Sequence, residues 1–175
     1  MKEEEKRIYR EAEGKVGPEV TVLEALATAI YNEQSAFDFY TGLSEIIKNQ
    51  SGKEKFKFLA ADEKRHRELL EAHYKKLTSG KEFPFDPTKL KAIQVEVRDN
   101  TTAAEALDIG IKAEKEAYEF YSKAAEEIEE PDAKKMFLML AEQEDGHYNL
   151  LTAEKQALTG QFYWFDSDTP GMMEY

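Results

Sequence analysis

The sequence predicts an all-α fold, a four-helix bundle made from one helical hairpin used twice with a long crossover between its second and third helices. Three observations predict it. Apolar residues recur at three- and four-residue spacing through four long stretches, the period of an amphipathic helix. Many positions recur at one offset of 81 residues: Leu26 and Leu107, Ile30 and Ile111, Ala36 and Ala117, Phe39 and Phe120, Phe56 and Phe137, Leu59 and Leu140. Such self-similarity marks a duplicated unit. The charged fraction is 34% with only nine Gly and five Pro, which fits long solvated helices better than a sheet.

Residues 1–20 form a highly charged leader ending in Gly17-Pro18. Thr21 and Glu24 then make a capping box, in which the hydroxyl accepts from a first-turn N–H while the glutamate reaches back. Thr102 and Glu105 repeat that box 81 residues on, so two helices start at matching places. The first helix is predicted over 22–49, with Leu26, Ile30, Glu33, Phe37 and Tyr40 on one face, and Asn49-Gln50-Ser51-Gly52 breaking it. The second, over 53–78, carries Phe56, Leu59, Glu63, His66, Leu70 and Leu77 on its inward stripe. The third runs over 103–129, Glu130-Pro131-Asp132 is the turn, and the fourth runs over 133–158.

The linker over 79–101, with Phe83-Pro84-Phe85 and Pro87, is too long for a tight turn. At up to about 3.3 Å per residue it can cross a bundle whose helices rise about 1.5 Å per residue. One long crossover gives the ferritin-like connectivity. Residues 21–160 thus form the bundle, and 161–175 a tail whose four consecutive aromatics, Phe162 to Phe165, need cover from one end of the bundle or from a second subunit.

Composition narrows the function. A net charge of −12 argues against nucleic acid, whose phosphates need a basic surface, and favours attraction of metal cations. The absence of cysteine excludes disulfides, iron–sulfur clusters and thiolate metal sites, so a metal would be held by carboxylate and imidazole. No stretch reaches the roughly 18 consecutive apolar residues of a spanning helix and the N-terminus has no signal-peptide core, so no membrane is expected and the default location is cytoplasmic.

Within the repeat stands a chemical constellation. Glu33 is followed thirty residues later by Glu63, and that by His66; Glu114, Glu144 and His147 repeat the pattern. Residues equidistant from a hairpin turn lie at one height, and the midpoints of both glutamate pairs fall beside the predicted turns. Residues three apart share a helix face, so each Glu-x-x-His points into the core. A single Glu-x-x-His on a charged helix is ordinarily a solvated pair; duplication at matched depth makes it a ligand set. Four buried carboxylates could not all stay ionised unaided. Two divalent cations would balance them, which favours a dinuclear site over a mononuclear one. Tyr40 and Tyr121, two turns from Glu33 and Glu114, are either core aromatics or groups close to the metals. His73 has Glu154 as its counterpart and is read as an ordinary surface or core residue. Asp62 and Asp145 neighbour the candidate ligands, and nothing in the sequence selects either as the partner of a histidine N–H.

One glutamate from each of two helices and a Glu-x-x-His from each of the others is the ligand set of ferritin-like carboxylate proteins. Over about residues 21–160 the chain resembles the rubrerythrin family within that superfamily. The resemblance implies Glu33 and Glu114 as terminal carboxylates, Glu63 and Glu144 as bridges, and His66 and His147 as imidazole ligands of a di-iron centre, with manganese or zinc as alternatives. It departs at Ala117, where typical rubrerythrins carry an extra glutamate, so the site is symmetric and nearer the bacterioferritin type. A cysteine-free chain also lacks the rubredoxin domain, so electrons must come from an external donor protein or from ferrous iron.

The function implied is reduction of hydrogen peroxide or dioxygen in oxidative-stress defence. The alternatives are iron oxidation and storage, or a structural metal-binding interaction module acting through the aromatic tail; no feature marks a cavity for an organic substrate. A homodimer is expected, and the long linker permits exchange of hairpins between subunits.

Overall fold

In a computed structural model, which describes residues 21–90 and 102–160, four long helices carry the chain. They are α1 (Val22–Ile46), α2 (Gln50–Leu77), α3 (Ala103–Glu127) and α4 (Pro131–Thr159), with a 3₁₀ turn at Pro87–Lys89. The all-α four-helix bundle expected from the periodicity is the observed architecture, and no strand occurs among the described residues. The charged leader, the end of the crossover and the aromatic tail, Phe162 to Phe165 included, lie outside the described residues.

Both capping boxes form. Thr21 Oγ1 accepts from Glu24 N–H while Glu24 Oε2 accepts from Thr21 N–H at 2.7 Å, and Thr102 with Glu105 repeats the exchange at 2.8 Å. The turns sit slightly earlier than predicted. Asn49 is the N-cap of α2, its side chain accepting from Gly52 N–H at 2.9 Å, so Gln50–Gly52 belong to the helix and only Ile47–Asn49 to the turn. Glu130 likewise caps α4, with Pro131 at the first helical position, where a missing N–H costs nothing. The second turn is therefore Ile128–Glu130, again 81 residues after the first. Gly160 ends α4 in the left-handed conformation, φ 68°, that a glycine adopts without strain.

The antiparallel order of α2 and α4 follows from pairs that descend one helix as they climb the other: Lys55 with Glu154, Asp62 with His147, Lys76 with Asp132. The crossover leaves α2 along α1. Tyr31 stacks on Phe85 with ring centroids 5.2 Å apart, meets Phe83 edge-on at 5.6 Å, and its hydroxyl accepts from Asp86 N–H at 3.0 Å.

The apolar core is divided in two. One cluster joins Ala25, Leu26, Ala29 and Ile30 at the start of α1 with Leu70, Tyr121, Ala124, Phe137 and Leu140. The other joins Tyr40 and Leu43 at the end of α1 with Phe56, Leu59, Ala106, Leu107 and Leu151. The 81-residue offset carries Leu26, Leu70, Tyr121, Phe137 and Leu140 of the first cluster onto Leu107, Leu151, Tyr40, Phe56 and Leu59 of the second, so the duplication interchanges the two ends. Each end is built from both hairpins. A layer of buried polar side chains lies between them.

Candidate metal centre

That polar layer contains all six of the constellation's residues. Glu33, Glu63, His66, Glu114, Glu144 and His147 are each 6% exposed or less. They sort into two sets whose potential ligand atoms lie within 4.8 Å of one another: Glu33, Glu63, Glu144 and His66, and then Glu63, Glu114, Glu144 and His147. Glu63 and Glu144 belong to both. Helix geometry explains this, since each shared glutamate lies one turn before a histidine on a helix that faces the other hairpin.

Both imidazoles turn the same atom inward. His66 Nδ1 lies 3.0 Å from Glu144 Oε1 and 3.3 Å from Glu33 Oε2; His147 Nδ1 lies 3.1 Å from Glu63 Oε1 and 3.2 Å from Glu144 Oε2. The rings are near-parallel, with centroids 5.6 Å apart. Glu33 Oε2, Glu63 Oε1, His66 Nδ1 and Glu144 Oε1 are buried and, although close to one another, none is in a hydrogen bond of good geometry. Orphaned buried acceptors carry a desolvation penalty, and four of them converging is the condition that bound cations relieve. The donor set of carboxylate oxygens with one imidazole nitrogen per set fits hard or borderline divalent metals.

The rubrerythrin family model matches residues 24–155. The chain belongs to the rubrerythrin family. A hypothetical protein from Pyrococcus furiosus is 34% identical, covering 81% of this chain and 92% of that one, with a TM-score of 0.67. A putative ferritin-like diiron-carboxylate protein from Thermotoga maritima is 26% identical over 78% of this chain and 95% of that one, TM-score 0.63. A dodecameric thioferritin, the bacterioferritin-related protein from Bacteroides fragilis, shares the fold at 16% identity, covering 90% and 99% of the two chains with a TM-score of 0.67. No curated protein matches the chain.

In this rubrerythrin-family chain the tyrosines cross between hairpins. Tyr40 donates its hydroxyl to Glu114 Oε1, and Tyr121 donates to Glu33 Oε1. Each thus serves the other hairpin's glutamate rather than the one on its own helix, while its ring belongs to one of the two apolar clusters. Burial, followed by the charge of the facing carboxylate, pushes both phenols well above their ordinary value, so each is a firm donor at neutral pH.

The electrostatics of the metal-free cluster show how it balances charge alone. Burial pulls both imidazoles down, but the carboxylates crowding Nδ1 outweigh it and push His66 and His147 up to about 12. Burial and the charges of Glu144 and Glu33 hold Glu63 well above the carboxylate range. Glu144, against its own burial, is pulled down to about 2 by the two imidazoliums. Burial raises Glu114 to about 7. Protons thus occupy the place of cations, and loading with metal must expel them.

Asp62 is the neighbour of a histidine that sequence reasoning left open. Its Oδ2 lies 3.3 Å from His147 Nε2, while Oδ1 pairs with Arg65. Asp145 instead accepts from Asn149 on the exposed face of α4 at 3.0 Å. His73 pairs with Glu130 at 3.2 Å, tying α2 to the cap of α4 away from the cluster. A cavity of about 430 Å³ opens over the outer edges of the two histidines, lined also by Asp62, Arg65, Gln143 and the apolar Leu69 and Met139. No described helix is long and apolar enough to cross a membrane.

Proposed function

We propose that this protein is a di-iron oxidoreductase of rubrerythrin type, reducing hydrogen peroxide or dioxygen in oxidative-stress defence with electrons from an external donor protein. The observation that carries the reading is the pair of four-residue sets sharing Glu63 and Glu144, with unpartnered ligand atoms turned inward. Glu33 and Glu114 would be terminal ligands, Glu63 and Glu144 bridges, and His66 and His147 would each bind through Nδ1. Iron or manganese suits this donor set, and zinc could occupy it. Two irons, when bound, supply the electron pair that cleaves the O–O bond.

The chain's own residues do the rest. The four carboxylates neutralise two dications inside a low-dielectric layer, and Tyr40 and Tyr121 fix the terminal carboxylates in place. The apolar clusters on either side keep bulk water from the layer, and the cavity beside the histidines has room for a small oxidant. Lacking cysteine, the chain takes electrons from outside. The working unit in this proposal is a cytoplasmic homodimer whose 161–175 tail covers a bundle end or the partner subunit, hairpin exchange being one way to build it.

Ala117 supports a second reading. Without a fifth carboxylate as a seventh ligand the ligand set is symmetric, nearer the bacterioferritin type, which favours iron oxidation and storage. The test is anaerobic loading with ferrous iron, a count of bound metal, and rapid-mixing absorbance with peroxide and dioxygen separately. Two irons per chain, oxidised much faster by peroxide and re-reducible over many turnovers, are expected. Preferential reaction with dioxygen and uptake beyond two irons would transfer the assignment to storage. Failure to bind two metals would leave an interaction module.

A further inference from the structure

The six inward-facing groups repeat faithfully, but what stands behind the histidines does not. His147 Nε2 faces a carboxylate, Asp62 Oδ2, at 3.3 Å, and Asp62 is itself mostly buried and held on its other oxygen by Arg65. Shifting by the 81-residue offset gives the counterparts that should serve His66: Gln143 in place of Asp62 and Gly146 in place of Arg65. Gln143 lines the same cavity as both histidines, whereas Gly146 has open space where a side chain would begin. One imidazole is therefore backed by an anion and its guanidinium clamp, whereas at the other the counterpart positions hold only an exposed neutral amide and a glycine.

The chemistry of that difference is directional. With Nδ1 turned to a cation, Nε2 must carry the ring proton, and it donates that proton to Asp62. A carboxylate acceptor fixes the tautomer and strengthens the ring as a donor through Nδ1, because negative charge behind the ring offsets the charge drawn out by the metal. An amide oxygen accepts the same proton without supplying a charge. Resting on the two-metal reading above, we propose that Asp62 is a positioning residue that makes the two metal positions unequal. The position formed by Glu63, Glu114, Glu144 and His147 fills before the one formed by Glu33, Glu63, Glu144 and His66.

Two cations sharing Glu63 and Glu144 repel each other, so a stepwise binding curve alone would look unequal even for identical positions. Location is what discriminates. Metal-free protein would receive one equivalent of Zn²⁺, and anomalous diffraction at the zinc edge would apportion the ion between the positions. The expected partition favours the His147 position by about 10-fold or more, the usual scale for a carboxylate behind a metal-bound histidine. Asp62→Asn should bring the partition close to even, and Gln143→Glu should do so from the other side by strengthening the His66 position. Equal occupancy in the unmodified protein, preference for the His66 position, or a partition unmoved by Asp62→Asn would overturn the proposal. If Asp62 served only to hold α2 against α4, its substitution would lower thermal stability and leave the partition unchanged. A chain that never takes up two zinc ions at saturation would instead overturn the two-metal reading, which separates the two failures.

Discussion

The two hairpins, residues 22–77 and 103–159, are one design carried out twice, and they agree and differ in a telling pattern. Caps, turns, the six inward groups and both tyrosines coincide at the offset of 81. The departures lie one layer out: Asp62 against Gln143, Arg65 against Gly146, Ala29 against Gly110. Agreement includes every side chain that meets at the centre, where each hairpin supplies three residues of one set and one of the other. A change at Glu63 or Glu144 would spoil both sets at once, because those two residues are shared. The surrounding positions Asp62, Gln143, Arg65, Gly146, Ala29 and Gly110 stand outside both sets, and so are free to diverge.

The largest expected effect breaks the comparison at its centre. Glu63→Ala and Glu144→Ala should each take metal content from two ions per chain towards none and turnover to background, because either removes a ligand from both sets. Glu33→Ala and Glu114→Ala each strip one set and should leave about one ion per chain. Elemental analysis of the reconstituted variants checks the difference, and equal metal content in all four would mean that the central glutamates are not bridges.

Next in size is a pH effect that separates the metal-free from the loaded protein. His66 and His147 rise from an ordinary 6.5 to about 12 on folding. Their stabilisation is complete below 6.5 and is lost as pH climbs towards 12. Glu114, raised from 4.5 to about 7, acts in the same direction between those values. Glu144 acts oppositely, its stabilising charge being lost as pH falls from 4.5 towards 2. In the window from pH 6.5 to 9 the metal-free fold therefore binds more protons than the unfolded chain and should lose several degrees of Tm. In the loaded protein the ring nitrogens facing the metals are already deprotonated, so its Tm should change little, while metal affinity rises with pH. Calorimetric scans of both forms across that window test the sign.

How far the site was legible follows from the range over which each signal acts. The six central residues and both capping boxes are patterns along one helix or at one covalent offset, and such patterns survive in a linear sequence. The choice between Asp62 and Asp145 was not legible, because it depends on how α2 and α4 are rotated against each other. The crossing of Tyr40 to Glu114 is a contact between hairpins and was hidden for the same reason. Asn49 was misread as the end of a helix because Asn-Gln-Ser-Gly serves equally as a break and as an N-cap; its bond to Gly52 N–H decides for the cap.

The tyrosines give a smaller test of equivalence. Tyr40→Phe and Tyr121→Phe each leave a buried carboxylate oxygen without its donor, a loss of about 1–3 kcal/mol that chemical denaturation of the metal-free protein would measure. Matching losses would show that the two halves are energetically alike at this depth. A clear excess for one would show that the asymmetry reaches inward past the histidines.

The smallest expected effect concerns Gly110, whose counterpart Ala29 is wholly buried. A methyl group at Gly110 would lie 2.9 Å from Leu151 Cδ1 and 3.3 Å from the Tyr40 hydroxyl oxygen. Replacing a helix-interior glycine by alanine gains up to about 1 kcal/mol in backbone terms. Crowding opposes this, but the nearest atom is the end of a flexible leucine that can turn aside. Gly110→Ala should therefore change stability by less than about 1 kcal/mol, the two terms nearly cancelling. The informative quantity is its coupling to Tyr40. If the glycine exists to let that hydroxyl reach Glu114, then combining Gly110→Ala with Tyr40→Phe should remove most of the crowding, and the double variant should be more stable than the sum of the single changes predicts. Ala29→Gly, combined with Tyr121→Phe, should show no such coupling. Additivity in both cycles would mean that the glycine relieves only Leu151, and that the two tyrosines sit in equivalent settings despite the different residues beside them.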